Sequence, residues 1–339
     1  MLKYGRLSAG GGLMEEKTSI ASGIEVTQES MDYDASCKRI LSEKIILAWI
    51  LKTCVAEFGD FDIPFIADRC IEGEPRVAIV PTAPDETGPM IRGRNTEQSS
   101  SAENTFTFDI IFDAIVPGTN KVIRLIVNIE PQDDFYPGYP LPKRGIYYLS
   151  RMISSQAGTI FEHSDYGKLR KVVSIWICTN PPKKRENTIT CYRMTEHNIV
   201  GDDHEPAENY DLTTLVMVHL GAEGGKNYDG VLKLLGTLLT SNSSAEEKKR
   251  VLQDEFHIPM TQTIDREVSR VSTFLQTVEA RGEARGIQKG IQQGRDQMID
   301  ALLISNSEDA LLHNDMFRGL RITPDEIKAS RVRLSLNSQ

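Results

Sequence analysis

The stretch FTFDIIFDAIVPGTNKVIRLIVNIEPQ, residues 106–132, decides the fold because it joins two β-rich runs through a turn signal. Pro117-Gly118-Thr119-Asn120 is typical of a hairpin turn between such runs. With the turn centred on Gly118 and Thr119, residues that face each other have numbers summing to 237. The stretch therefore predicts an antiparallel hairpin with a defined register.

This register brings two acidic residues together at the end of the hairpin far from the turn. Asp109 faces Asn128, and Glu130 is the diagonal neighbour of Asp109, at about 7–8 Å. A slip of one residue would separate them. Alternation predicts that Asp109 and Asp113 share one face of the first run, and that Asp109 and Glu130 converge on the same face of the hairpin. Asp113 lies nearer the turn, so Asp109 is the better candidate.

The polar side chains of the second run suit a divalent cation. Two carboxylates and a nearby amide offer the oxygen ligands that Mg²⁺ takes while keeping several waters. Gln132 lies two residues beyond Glu130, on the same predicted face, and can orient a water although it carries no positive charge. Taken alone the pattern is unspecific, since paired acids on a strand more often face solvent.

The remaining sequence predicts helices and buried strands around this hairpin. Residues 36–58 favour one long helix with Ser36 as its N-cap. A second helix is predicted at 143–157, and the runs KVVSIWICTN (171–180) and LTTLVMVHL (212–220) are typical of buried strands. Residues 230–260 favour helices.

Four glycines follow at four-residue spacing near the C-terminus: Gly282, Gly286, Gly290 and Gly294. Each costs a helix interior up to about 1 kcal/mol relative to alanine, so a helix that keeps four on one stripe indicates close helix–helix contact. The alternative interpretation is a low-complexity linker.

Composition limits the class of protein without identifying it. The chain has 339 residues and a formal net charge of −9, which argues weakly against nucleic acid, although basic residues outnumber acidic ones between 136 and 185. We find no apolar run long enough to span a membrane. Five cysteines without a CxxC spacing predict free thiols in a reducing, cytoplasmic setting.

The hairpin, together with KRGIYYLSRMISSQ (143–156), VVSIWICTNPP (172–182) and YDASCKRILSEKIILAWILKTCVAEF (33–58), resembles the PD-(D/E)XK nuclease-like transposases, also called recombination-promoting nucleases. The Gly-rich run near the C-terminus is similar to the helical tail of that family. The resemblance covers roughly residues 31–295 and rests on the order of the motifs. It implies an α/β, restriction-endonuclease-like core, with a central mixed sheet between helices and a helical C-terminal extension.

The resemblance also implies roles for particular residues. The strand aspartate of the family corresponds to Asp109, and its E-x-(K/Q) pair corresponds to Glu130 and Gln132. Glu57 is implied as an additional metal-assisting acid and Gln156 as a phosphate contact. The lysine of the broader superfamily is Gln132 here, which leaves metal binding intact but puts water activation in doubt.

We therefore expect a Mg²⁺- or Mn²⁺-dependent DNA endonuclease linked to recombination or mobile elements, in which Lys143, Arg144, Arg151 and Gln156 contact DNA. The alternative is a member that does not cleave and that binds DNA or forms homo-oligomers through the glycine-spaced helix. The expected organisation is a disordered tail (1–30), a nuclease-like domain (31–222), a helical extension (223–300) and a weakly structured tail (301–339).

Overall fold

A mixed six-stranded sheet packed between helices is the main structural element of the protein. The structure is a computed structural model that describes residues 19–77, 97–98, 106–107, 109–119, 121–130, 138–315 and 317–336. The predicted class, an α/β protein with a mixed sheet and a long C-terminal helix, is confirmed at this level.

Helices both precede and follow the strands of the sheet along the chain. The helices are α1 (Ser19–Leu41), α2 (Lys44–Cys54), α3 (Ile63–Phe65), α4 (Leu141–Ser154), α5 (Gly230–Leu239), α6 (Ala245–Asp254), α7 (Gln262–Ser305), α8 (Glu308–His313) and α9 (Pro324–Leu336). The strands are β1 (Ile71–Val77), β2 (Glu97–Gln98), β3 (Phe106–Thr107), β4 (Ile110–Ile115), β5 (Val122–Glu130), β6 (Val172–Cys178), β7 (Thr188–Arg193) and β8 (Thr213–His219). Six of these strands form the mixed sheet, in the order β1-β4-β5-β6-β8-β7, whereas β2 and β3 pair with each other.

The predicted hairpin is formed by β4 and β5, and its register is the predicted one. Ile110 pairs with Val127 and Ile115 with Val122, so opposed numbers sum to 237. Gly118 has a φ of +73°, a conformation that glycine adopts without steric cost, and this allows the tight reversal of the chain. Local turn chemistry and period-2 alternation are therefore sufficient to specify this pairing.

Strands β6 and β8 are parallel neighbours in the sheet, and both are largely buried, as their apolar runs predict. Every residue of β6 is buried, which is typical of a parallel strand covered on both faces. Val173, Ile175 and Ile177 belong to the core that includes α1, α2 and α5. The alternate residues Val172, Trp176 and Cys178 pack in a second cluster with α4.

The single helix expected over 36–58 is instead two helices, α1 and α2, with a break at Ser42 and Glu43. The Ser42 hydroxyl donates a hydrogen bond to the Arg39 carbonyl (2.8 Å), an interaction that competes with helix continuation. Both helices bury apolar residues in the same core.

The chain divides into two compact units, residues 1–275 and 276–339. The second unit buries Ile299, Leu311, Ile322 and Ile327 in its own small core. Helices α8 and α9 lie where a weakly structured tail was expected, and α1 begins at Ser19, within the expected N-terminal tail.

Within the described residues, no helix is both long enough and apolar enough to cross a membrane.

Helix α4 packs closely on the sheet because residue 145 is glycine. A Cβ placed there would lie 2.5 Å from Leu215 Cδ1 and 3.2 Å from Trp176 Nε1. By contrast, a Cβ on Gly286 in the long helix α7 would meet nothing within 4 Å. The two positions therefore respond differently to an added methyl group.

We predict that Gly145→Ala lowers the free energy of unfolding by about 1–3 kcal/mol, because the buried Leu215 and Trp176 must move. Urea unfolding followed by the fluorescence of the two tryptophans, which both lie in the first unit, measures this. Gly286→Ala is the control and should leave that transition in place. An unchanged midpoint for Gly145→Ala would contradict the close packing of α4.

Candidate functional site

One candidate carboxylate, that of Asp109, contacts a lysine at one edge of the sheet. Asp109 lies in a bend directly before β4, and its Oδ1 is 2.9 Å from Lys38 Nζ. The same ammonium group is 2.6 Å from Asp34 Oδ2, one helical turn earlier in α1. Lys38 therefore bridges two carboxylates that belong to the first helix and to the entrance of the hairpin.

The side chain of Asp109 does not share the face of Ile111 and Asp113 as alternation predicted. It contacts α1, which belongs to the core on the opposite face of the sheet from α4, whereas Ile111 packs against the α4 cluster. Asp109 precedes the first ladder residue, so strand alternation does not constrain it, and the lysine attracts it. The backbone of Asp109 keeps the position that the register predicts, at the end of the hairpin far from the turn.

Lys38 carries its positive charge in this nearly buried setting, where its side chain is 8% exposed. Burial lowers its pKa, but the charges of Asp109 and Asp34 outweigh that effect and hold the pKa above its ordinary value. Two negative groups thus keep one ammonium ion fixed beside the candidate aspartate.

Glu130 ends β5 at the same edge of the sheet. Its backbone pairs with Cys178, the last residue of the parallel strand β6. Continued by one pair, the β4–β5 register brings the Asp109 backbone opposite Asn128, two residues from Glu130. The two backbone positions are therefore neighbours in the strand pairing. The convergence of the two carboxylates stays a prediction, because the side chain of Glu130 and the whole of Gln132 lie outside what the structure describes.

Asp113, the alternative acid of the hairpin, is engaged by an arginine on the paired strand. Arg124 Nε donates to Asp113 Oδ1 (2.8 Å), and Arg124 Nη2 donates to Oδ2 (3.0 Å). This bidentate pair raises the pKa of Arg124 through the hydrogen bond to Asp113, although burial acts in the opposite direction. The structure thus gives Asp113 a pairing role within the hairpin.

Glu57 is not brought to this edge. It lies in a short 3₁₀ turn after α2, where its Oε1 is 2.8 Å from Lys171 Nζ, and the same Nζ is 3.0 Å from Asp211 Oδ2. Lys171 directly precedes β6, whereas Glu130 pairs with the last residue of that strand. Roughly 20 Å of strand separates the two ends, so one ion cannot contact both glutamates.

The direction of α4 divides the predicted DNA contacts between the two ends of the sheet. Because α4 connects the end of β5 to the start of the parallel strand β6, its first turn lies at the Glu130 edge. Lys143 is exposed there, and the Arg144 guanidinium lies 5.3 Å from the Trp176 ring and 5.4 Å from the Tyr148 ring. Arg151 belongs to the last turn, near the opposite end.

Gln156, predicted to contact phosphate, also lies at the opposite end and is 1% exposed. Its amide Nε2 donates to the Arg170 carbonyl (2.9 Å), and its Oε1 accepts from the Arg170 N–H (2.8 Å). Both polar ends of the side chain are therefore used to hold the backbone that enters β6. Its contacts support a structural role in joining α4 to the sheet.

A basic turn lies at the Glu130 edge. Lys183, Lys184 and Arg185 form a 3₁₀ turn between β6 and β7, and the two lysines are exposed.

His219 is a buried residue at the end of β8, beside this turn. Its Nδ1 lies 3.2 Å from the Thr188 hydroxyl oxygen. Burial, and then the charge of Arg185, lowers the pKa of His219 to about 4.

Asp34 and Lys38 are the residues of this site that the sequence reasoning did not single out. Their spacing of four residues is a recognised signal for a helical ion pair. That signal is common on helix surfaces, so it could not distinguish this pair from an exposed one. Only the contact between α1 and the hairpin brings Lys38 to Asp109.

Carboxylate groups are the candidate donors at this edge. Asp109 already has a cationic partner, and a second carboxylate residue ends the adjacent strand. Among the residues whose side chains the structure describes, no cluster of three or more histidine, cysteine, aspartate or glutamate residues could hold a metal. All five cysteines are free, as predicted.

Comparison with known proteins does not extend this assignment, since no protein-family model, curated protein or solved structure matches the chain. The site is therefore interpreted from its own geometry.

We predict that Gln156→Met lowers the free energy of unfolding by about 1–3 kcal/mol, because the Arg170 N–H and carbonyl lose their partners in a buried setting. Chemical denaturation measures the loss. Gln288→Met, at an exposed position of α7, is the matched control and should change little. A neutral result for Gln156→Met would show that the clamp on Arg170 is dispensable.

We also predict that His219 makes the protein less stable in acid. Its folded pKa of about 4 lies below the ordinary value of 6.5, so protonation favours the unfolded state. The stability due to the neutral ring is complete above pH 6.5 and decreases as pH falls toward 4, by at most about 1.4 kcal/mol per pH unit. The difference in the free energy of unfolding between pH 7 and pH 5 should be smaller in His219→Gln than in wild type. The same pH dependence in both proteins would refute the role of His219.

Proposed function

We propose that this protein is a metal-dependent DNA endonuclease of the PD-(D/E)XK type with a restriction-endonuclease-like core. The observation that carries the proposal is the β4–β5 register, which gives Asp109 and Glu130 neighbouring positions at one edge of the sheet. The layering of α1 and α2 on one face and α4 on the other is compatible with that core.

In this proposal Asp109 and Glu130 hold Mg²⁺ or Mn²⁺ and Gln132 contacts the attacking water. Carboxylate oxygens are preferred ligands of Mg²⁺, which commonly takes one or two of them and completes its shell with water. When bound, such an ion activates water and neutralises charge on phosphate. Glu57 is left out because its contacts are at the other end of β6.

The reaction is hydrolysis of a phosphodiester. The oxygen of one water forms a bond to phosphorus, the bond from phosphorus to one sugar oxygen breaks, and that oxygen leaves as a hydroxyl. One proton of the attacking water passes to solvent, and the leaving oxygen gains a proton. No oxidant, reductant or further co-reactant is needed.

The basic residues at the same edge would hold the DNA backbone. Lys143 and Arg144 begin α4, and Lys183 and Lys184 lie in the turn after β6. The stacking of Arg144 on Trp176 and Tyr148 limits its motion and favours a fixed phosphate contact. Arg151 and Gln156 are not included, and affinity for DNA should fall as salt rises.

A second candidate function is a protein that binds DNA or another copy of itself without cleaving. Two observations favour it: Lys38 already neutralises Asp109 in an ion pair of ordinary geometry, and Ile287 and Ile291 of α7 are 64% and 68% exposed. The replacement of the motif lysine by Gln132 supports the same alternative. We keep the nuclease as the first proposal because the acidic and basic residues occur at the same edge.

We predict that the purified protein nicks plasmid DNA with Mg²⁺ or Mn²⁺ but not with EDTA, and that Asp109→Asn lowers the rate by about 10³-fold, because a metal ion supplies several kcal/mol of transition-state stabilisation. Glu57→Gln is the matched control, since it alters an acid that pairs with Lys171 at the other end of β6. It should retain nicking per folded molecule.

Each outcome bears on a different conclusion. Equal activity in wild type and Asp109→Asn would indicate a contaminant and refute the site. No cutting by wild-type protein that still binds DNA would favour the second candidate. In that case the Asp109→Ala, Glu130→Ala double variant should bind DNA, or self-associate, as wild type does.

A further inference from the structure

A cavity lies beyond the carboxyl ends of the parallel strands β6 and β8. Its volume is about 420 Å³, which is within the range of sites that take small organic ligands. The described walls are formed by residues 179–181 after β6, 220–223 after β8 and 240–242 between α5 and α6, together with Glu186 and Tyr228.

The position of the cavity follows from the direction in which the chain leaves the strands. After β5 the chain forms α4, which packs on one face of the sheet, whereas after β8 it forms α5, which packs on the other face. In open α/β sheets a crevice opens at the carboxyl ends of the strands where the connections diverge in this way, and ligands bind there. The topology therefore provides this cavity.

Glu186 is held at the wall by the close packing of the loop after β8. A Cβ on Gly221 would lie 2.6 Å from Glu186 Cβ and 2.9 Å from Asn187 Cγ. The Asn187 side chain, which is 2% exposed, donates through Nδ2 to the Ala222 carbonyl (3.3 Å). The backbone that carries Glu186 is thus fixed against two residues that line the cavity.

The described walls carry negative charge and hydrogen-bond acceptors without matching cations. Glu186 and Glu223 both line the cavity, and neither has a salt-bridge partner among the described residues. Next to Glu186, the buried Asn187 Oδ1 also has no hydrogen-bond partner in the described part of the chain. The basic turn at 183–185 does not contribute to the wall, and no lysine, arginine or histidine occurs among the described lining residues. A positively charged ligand with several donors suits such walls.

Tyr228 adds an aromatic ring to the same cavity. The ring packs on α5 at Gly236, where a Cβ would lie 2.8 Å from Tyr228 Cε2. Burial raises the pKa of Tyr228, the hydrogen bond with Thr237 lowers it, and the charge of Glu223 raises it further. A neutral ring close to a carboxylate favours a cation, because the face of the ring is electrostatically negative.

The walls suit an organic cation better than a metal ion or a phosphate. Among the residues whose side chains the structure describes, no group of three or more histidine, cysteine, aspartate or glutamate residues could hold a metal. The volume of about 420 Å³ is also many times the roughly 30 Å³ of one water molecule. A phosphate would meet two carboxylates and, among the described lining residues, no cationic side chain.

We propose that this cavity binds a linear diamine or polyamine, whose ammonium groups donate hydrogen bonds to Glu186 and Glu223 while its methylene chain packs on the Tyr228 ring. Two carboxylates at one cavity match a ligand that carries two or more ammonium groups. This binding does not depend on the proposed cleavage of DNA, because none of the lining residues has a role in that reaction.

The test is a calorimetric titration of the full chain with spermidine, without DNA or metal, beside octanediol as a neutral probe of similar length. We expect saturable binding of spermidine that weakens as salt rises, and no binding of octanediol. Glu186→Gln should lower the affinity about 10-fold, and Glu223→Gln should lower it less because that carboxylate is exposed. Tyr228→Phe should bind as wild type does, and Tyr228→Leu should bind about 2–5-fold more weakly.

Glu283→Gln, at an exposed position of α7, is the matched control and should bind spermidine as wild type does. No saturable binding by wild type, or equal affinities of wild type and Glu186→Gln, would overturn the site. Equal losses in Glu186→Gln and Glu283→Gln would indicate diffuse attraction to a chain of net charge −9 and would also overturn it. Octanediol binding as tight as that of spermidine would overturn the choice of an amine. Because DNA and metal are left out, none of these outcomes alters the nuclease proposal.

Discussion

The antiparallel register of β4 on β5 is the constraint on which the rest of the site depends. A shift of one residue would separate Asp113 from Arg124 and move Asp109 away from Glu130. The bidentate Asp113–Arg124 pair lies inside the hairpin and opposes such a shift, because both charges would lose their partners in a half-buried setting. One acid of the hairpin thus stabilises the register that positions another.

The two ends of the sheet use similar chemistry for different purposes. At each end a lysine lies between two carboxylates that come from elements far apart in the sequence. The Lys171 end joins α2, β6 and the approach to β8, and Gln156 adds two backbone hydrogen bonds close by. The Lys38 end gathers Glu130, the first turn of α4 and the turn after β6. We interpret the first end as structural and the second as the candidate site.

The basic stretch between α4 and β7 is continuous in sequence but not in space. A parallel connection sends α4 back along the sheet, so residues a few turns apart reach opposite ends. Lys143 and Lys184 therefore lie at one end, and Arg151 and Gln156 at the other. The glycines of α7 likewise form a stripe in the sequence, yet a Cβ on any of the four would meet no atom within 4 Å in the described structure.

The sequence by itself determined the hairpin, its register and the buried central strands, because turn residues and period-2 patterns act between near neighbours. It also indicated Asp109 and Glu130 as a pair, and it singled out Gln132 as a position without positive charge. Tertiary structure alone decided that Lys38 meets Asp109, that Glu57 pairs with Lys171 and that Gln156 clamps Arg170. These contacts join residues that are far apart in the chain or separated by a reversal of its direction. A local sequence pattern cannot show which distant side chain will pack against a given residue, because that depends on how the helices and strands are assembled.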